Sequence, residues 1–306
     1  MYENKTLLIT GGTGSLGRAL TKEIFQIHPN IGKIIVFSRD EQKHFQMRQE
    51  FSMEKFPKLE FKIGDIRDFD SVKSSLNGVD FVIHAAAMKH VHLSESNPDE
   101  CIKTNVGGAQ NVIKAAQETD VSKIVALSTD KACAPVNLYG ATKLTSDKLF
   151  IAANNNSKKI KYSVVRYGNV MSSNGSVIPF FLNRKKVGPL PITDPEMTRF
   201  NITLNEGVKM VLFALENAWG GELFVPKIPS YNIMDLAKAI DFSCKTEIIG
   251  IRPGEKVHEE MISSSDSYNT YDIGEYYVIL PTIAKWDLEY FINKFDAVKV
   301  PLGFNY

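Results

Sequence analysis

The sequence predicts an α/β fold built on a doubly wound parallel sheet, on two observations. Short apolar runs alternate with helical patterns, and no hairpin signal lies between them. Runs such as Ile34-Ile35-Val36-Phe37 are apolar at every position, which suits a sheet covered on both faces. Lys5–Thr10 is the first such strand and ends in a Gly-rich turn. A helical pattern follows (Leu16, Leu20, Ile24, Ile27), broken by Pro29 and Asn30. Lys33–Phe37 is the second strand, followed by a polar helix through Glu50. Leu59–Ile63, Phe81–Ala86 and Lys123–Leu127 read as strands three to five, with a helix around Ala109–Gln117. Tyr139–Ala153 is a long helix and Tyr162–Arg166 a sixth strand.

After about Gly168 the texture changes. Pro179, Pro189, Pro191, Pro195, Pro226, Pro229 and Pro253 cut the chain into short pieces, which predicts a smaller region of loops and short elements. Residues 1–168 are therefore read as one domain and 169–306 mainly as a second region. The boundary need not be a single cut, since the helix Asn205–Leu215 and the strand Glu222–Val225 can return to the first domain around 200–228.

Composition narrows the class. The 306 residues carry 36 Lys plus Arg against 35 Asp plus Glu, a net charge of +1, which argues against a nucleic-acid or membrane partner. Cys101, Cys133 and Cys244 lack ligand spacing and read as free thiols. His90 and His92 have no third ligand nearby, so no metal is expected. Neither a secretory signal nor a run of about 18 apolar residues is present, so a soluble, cytoplasmic protein is expected.

The first turn reads Thr10-Gly11-Gly12-Thr13-Gly14-Ser15-Leu16-Gly17. Gly11 allows a sharp strand-to-helix turn, Gly14 admits a pyrophosphate against the backbone, and Gly17 lets the helix pack close. The helix start offers free N–H groups to phosphate, so Thr13, Ser15 and Leu16 join the expected site. Strand, glycines and helix come in the order a Rossmann dinucleotide site requires. At the tip of the second strand stand Ser38 and Arg39, with Asp40 only after them. A hydroxyl and a guanidinium suit a 2′-phosphate, and Lys43 can add charge, so NADP is the expected cofactor; NAD remains open because Asp40 is near. Asp65 and Ile66 follow the third strand, with Asp65 placed for the adenine amino group. Ala85 and Ala87 leave room for ribose.

The fifth strand runs into Ser128-Thr129-Asp130-Lys131, and Tyr139-Gly140-Ala141-Thr142-Lys143 follows. Tyr139 and Lys143 share a helix face, and an ammonium favours a nearby phenolate, which can take a proton from a sugar hydroxyl. With 11 Tyr and 36 Lys plus Arg in 306 residues, such a pair arises roughly once by chance. Tyr290 and Lys294 are that second pair. They lack the upstream strand and polar tip, and read as an exposed helix face.

Read together, TGGTGSLG, FSRDE, GDIRD, HAAAMKHV, STDKA, NLYGATK, VVRYGNV, GSVIPFF, MTRF and GIRPGEK resemble the inverting UDP-N-acetylglucosamine 4,6-dehydratases. These are extended short-chain dehydrogenase/reductases of pseudaminic acid synthesis. The resemblance runs to about Glu260. It implies that Tyr139 and Lys143 serve oxidation at C4, that Lys131 removes the C5 proton, and that Asp130 protonates the departing C6 hydroxyl, with C5 inverted. Burial and the charges of Lys143 and the nicotinamide are expected to lower the Lys131 ammonium, against Asp130. The resemblance further implies Lys89 at the cofactor or substrate, Thr129, Asn169 and Val177 at the substrate, Arg199 and Arg252 at the diphosphate, and Glu255 at the uridine ribose. A homo-oligomer is expected. Family members continue past Tyr306 with a Tyr-Ser-Ser tail, so either the chain is truncated or the nucleotide is held differently. The rival functions are a nucleotide-sugar 4-epimerase and a non-catalytic NADP-binding regulator. Neither gives Asp130 and Lys131 a role.

Overall fold

A computed structural model describes residues 1–157, 159–171 and 176–306. In chain order the strands are β1 (Thr6–Thr10), β2 (Lys33–Ser38), β3 (Leu59–Ile63), β4 (Phe81–His84), β5 (Lys123–Leu127), β6 (Lys161–Val165), β7 (Asn169–Val170), β8 (Leu190–Ile192), β9 (Thr198–Ile202), β10 (Leu223–Pro226), β11 (Ser230–Asn232), β12 (Thr246–Ile248), β13 (Thr270–Asp272), β14 (Tyr276–Ile279) and β15 (Val298–Lys299). The helices are α1 (Ser15–Ile27), α2 (Glu41–Glu50), α3 (Phe69–Ser75), α4 (Val91–Ser96), α5 (Pro98–Ile102), α6 (Gly108–Gln117), α7 (Leu138–Ala153), α8 (Val177–Arg184), α9 (Leu204–Asn217), α10 (Ile233–Ile240) and α11 (Leu288–Phe295).

Ten strands form one sheet in the order β15-β13-β14-β10-β6-β5-β4-β1-β2-β3. Neighbours from β10 through β3 are parallel, and the β14, β13 and β15 edge is antiparallel. The all-apolar strands are explained by two cores. Leu7, Ile9, Ile34, Val36 and Ile83 face one, with Leu20 and Ile24 of α1 and Val208 and Val211 of α9. Leu8, Ile35, Phe37, Val82 and Ile124 face the other, with Val112 of α6 and Phe150 of α7. Each such side chain contributes about 1.5–3 kcal/mol by leaving water. The strand order reverses between β1 and β4, and a crevice at the carboxyl ends of a doubly wound sheet lies at such a switch point.

A smaller body carries the sheets β11-β9-β7 and β12-β8 around a third core of Phe181, Leu190, Ile192, Met197, Ile233 and Ala237. The short strands β13 to β15 return to the main sheet from a stretch whose pattern predicts loops and short elements without placing them. Their few residues carry too little periodicity to be read. Tyr306 pins this region. Its hydroxyl donates to the Ile228 carbonyl at 2.8 Å and accepts from the Ile228 N–H, and its ring packs on Phe200 and Tyr277.

All three cysteines are free, and among the described residues no helix is long and apolar enough to cross a membrane. Tyr290 lies exposed on α11, and Lys294 sits over the Trp219 ring, so that pair is helix surface.

Candidate active site

The glycine turn behaves as its spacing requires. Gly11 has φ +64°, and a Cβ there would lie 2.9 Å from the Ala86 backbone at the end of β4. A Cβ on Gly17 would strike the Gly12 backbone, so α1 can approach the sheet only without one. α1 opens at Gly14 with no side-chain cap, which leaves its first N–H groups for an anion. The Thr13 and Ser38 hydroxyls bond each other at 2.9 Å and tie the turn to the tip of β2. Leu16 packs partly buried beside the first core. This uncapped cradle fits a dinucleotide pyrophosphate.

At the ribose end, Asp40 caps α2. It accepts from the Lys43 N–H at 3.0 Å and pairs with the Lys43 ammonium at 3.1 Å. Those bonds hold the Asp40 carboxyl below its usual range. Arg39 is exposed and lies 3.7 Å from Asp65. Asp65 is already engaged, since Oδ1 accepts from the Arg67 N–H and Oδ2 from its guanidinium at 2.6 Å. Ile66 is buried under α6, Ala85 is half-buried, and Ala87 is exposed. Lys89, after β4, is held below the usual lysine range by desolvation and by Lys43 nearby.

The reactive cluster is built where β5 ends. Thr129 donates its hydroxyl to Asp130 Oδ1 at 2.9 Å, and Lys131 Nζ donates to the same oxygen at 3.0 Å. The Tyr139 phenol lies beside Thr129, which favours its ionised form. Asn137 makes this possible by capping α7 through the Gly140 N–H at 2.7 Å. Gly140 then sits on the Lys131 carbonyl, a contact any Cβ would block. Thr129, Asp130 and Lys131 thus form one hydrogen-bonded network with Tyr139 beside it.

Two electrostatic expectations are corrected. Tyr139 is not lowered overall: burial pushes the phenol above its ordinary value, and Asp130 and Asp147 add to the push while Thr129 opposes it. Lys131 is not lowered either. Burial would lower it, but Asp130 and Glu259 outweigh burial and Arg199 and hold the ammonium raised. Glu259 lies 3.4 Å from Lys131 Nζ and escapes a motif search because nothing local marks it.

Below this cluster runs a second one. Lys143, Asp147 and Arg166 are all buried. Asp147 accepts from the Ser128 hydroxyl at 2.7 Å and faces Arg166 at 3.4 Å. Burial lowers Lys143, with Asp147 opposing. Asn105, in a π-helical turn (Lys103–Gly107), bonds Thr142 at 3.0 Å and both backbone groups of Met88, so it fixes α7 against the segment after β4. A widened turn leaves no local sequence signal.

The candidate substrate side chains converge from the smaller body. Arg199 on β9 donates to the Thr198 and Val257 carbonyls and acts electrostatically on Lys131. Asn169 lies beside Tyr231 and favours the ionised form of its phenol. Arg252 lies 3.8 Å from Glu255, whose Oε2 is buried with no partner. The loop bearing them is stapled to the reactive cluster: Asn137 donates to the Gly254 carbonyl at 2.7 Å, and Lys256 donates to the Cys133 carbonyl at 2.8 Å. Val177 opens α8 and packs partly buried on the third core. Gly175, which begins the GSVIPFF motif, lies outside the described residues. Among the described residues no group of His, Cys, Asp and Glu is arranged for a metal.

The profile of the polysaccharide biosynthesis protein family matches residues 7–281. The chain belongs to this family. Individual relatives refine the likeness. The inverting UDP-N-acetylglucosamine 4,6-dehydratase of Campylobacter jejuni is 53% identical over 315 positions, covering 100% of this chain and 93% of that protein. A UDP-glucose 4-epimerase of Rickettsia canadensis is 47% identical, over 91% of this chain and 84% of its own length. The solved structure of Pen from Bacillus thuringiensis superposes with a TM-score of 0.91 at 36% identity, over 100% of this chain and 93% of that one.

Proposed function

We propose that this chain is an NADP-dependent UDP-N-acetylglucosamine 4,6-dehydratase that inverts C5 of the sugar. The observation that carries the reading is the hydrogen-bonded pair of half-buried Lys131 and buried Asp130 at the tip of β5, with Thr129 on Asp130 and Tyr139 beside it. The 53% identity to a protein of that activity supports it. A bound nicotinamide dinucleotide supplies a hydride acceptor at C4 and a hydride donor at C6. Tyr139 takes the O4 proton. Transfer of one proton along the 3.0 Å Lys131–Asp130 hydrogen bond makes a neutral amine and a carboxylic acid at once. Lys131 then takes the C5 proton as that C–H bond breaks. Asp130 gives its proton to the C6 oxygen as the C–O bond breaks and water leaves.

Incubation with UDP-N-acetylglucosamine in deuterated water, read by NMR, tests the proposal. The expected product has lost the C6 hydroxyl, carries deuterium at C5 and is inverted there. Retention of the C6 hydroxyl with a change at C4 alone favours the epimerase reading, the activity named for the Rickettsia canadensis relative.

The preference for NADP rests on Arg39 and Lys43 standing at the ribose end while Asp40 is used as a helix cap. Arg39→Ser is expected to weaken NADP binding by roughly ten- to a hundredfold and to leave NAD binding unchanged. Calorimetric titration with both dinucleotides reads this. Equal loss for the two places the guanidinium elsewhere.

A further inference from the structure

Glu259 belongs to no motif that the proposed mechanism uses, yet its carboxylate is among the most enclosed in the molecule. Its side chain is 3% exposed, and Oε2 has no hydrogen-bond partner. Its Oε1 lies 3.4 Å from Lys131 Nζ, on which Asp130 Oδ1 already closes at 3.0 Å. An enclosed carboxylate is costly unless cations or N–H donors answer it. The cations at hand are Lys131 and, at 4.0 Å, Lys256. Arg199 from β9 also faces Lys131, and Tyr231 from β11 stands beside both.

The chain segment matters as much as the contact. Glu259 closes the stretch that bears Arg252 and Glu255, and that stretch is fastened to the reactive cluster at Gly254 and Lys256. We propose that Glu259 is a positioning residue that shares the Lys131 amine with Asp130, sets when that amine gives up its proton, and links it to the segment that grips the nucleotide. This rests on the dehydratase reading, in which Lys131 takes the C5 proton. Since Oε1 reaches Nζ directly, loss of the charge alone and loss of the whole side chain have separable effects.

The test is the pH profile of dehydration. In Glu259→Gln, shape is kept and charge is lost, so the Lys131–Asp130 pair gives up its one proton more easily and the alkaline limb of the kcat profile moves to lower pH. In Glu259→Ala, Lys131 loses its hold. There kcat falls on the order of 10- to 100-fold with a smaller change in KM for UDP-N-acetylglucosamine. A merely structural role would lower activity without moving the limb, so a Glu259→Gln profile whose limb superposes on the wild type overturns the inference. Should these variants fold poorly, the wild-type protein with ε-¹³C-labelled lysines decides. The Lys131 signal, assigned by its loss in Lys131→Arg, is expected to titrate above the exposed lysines, and titration at or below them overturns the inference. Wild-type protein that never dehydrates the sugar sinks the dehydratase reading instead, and the lysine titration still reports on the Glu259 contact.

Discussion

Lys131→Ala is expected to lose dehydration by roughly 10²- to 10⁴-fold while keeping dinucleotide and UDP-sugar binding. The variant removes the amine that takes the C5 proton and spares Tyr139, Thr129 and Lys143, so oxidation at C4 continues. The expected signature is a stalled enzyme: reduced-nicotinamide absorbance accumulates, and a C4 ketone forms without C5 deuterium. Normal turnover of UDP-N-acetylglucosamine by this variant would refute the role of Lys131. The fold is expected to suffer too, because Asp130 and Glu259, both buried, would then face each other with no ammonium between them. In the wild type the sign is opposite. The raised Lys131 ammonium stabilises the fold fully at pH below the ordinary lysine range, and that contribution is lost only as pH rises through its folded value. Thermal denaturation against pH should therefore show the Lys131 contribution vanishing on the alkaline side.

The reactive residues were legible because their signals are local. Thr129, Asp130 and Lys131 are adjacent, and Tyr139 and Lys143 are one helical turn apart, so spacing alone puts each set on one tip or one face. The glycine turn was legible for the same reason. Glu259 was not, because its partner sits on a different element far along the chain, and only the tertiary fold joins them. Asp147 and Arg166 were invisible likewise: one faces inward from α7 and the other follows β6. Asp65 shows the opposite failure. Its position at the strand end was read correctly, but Arg67 takes up its oxygens, which no strand-end pattern reveals. The Tyr139 reading missed because burial, a property of the whole fold, comes first there, and the Lys131 reading missed because Glu259, far along the chain, joins Asp130 in outweighing burial.

Tyr139→Phe is expected to lower C4 oxidation by a similar 10²- to 10⁴-fold, and its signature differs from that of Lys131→Ala. The phenol acts first, so no ketone forms, the C5 hydrogen stays unactivated, and neither reduced nicotinamide nor C5 deuterium should appear. Rapid-mixing absorbance together with NMR in deuterated water separates the two variants. Accumulation of reduced nicotinamide by Tyr139→Phe would remove the phenol from the oxidation step. The environment of Tyr139 adds a pH expectation. Burial, Asp130 and Asp147 push its phenol up, so the deprotonated form is scarce at neutral pH. C4 oxidation by the wild type should therefore accelerate as pH rises, until the phenol is fully ionised or the fold gives way. The positive charges that can offset this are Lys143 and the oxidised nicotinamide. Lys143 itself is lowered by burial and restrained by Asp147. Asp147 consequently acts in two directions: it keeps Lys143 charged, which favours the phenolate, and it opposes the phenolate directly. Burial raises the Asp147 carboxyl itself, while Arg166 at 3.4 Å and Lys143 favour its ionised form. The ionisation of Tyr139 is thus governed by a buried charge cluster beneath it as well as by the lysine one turn away.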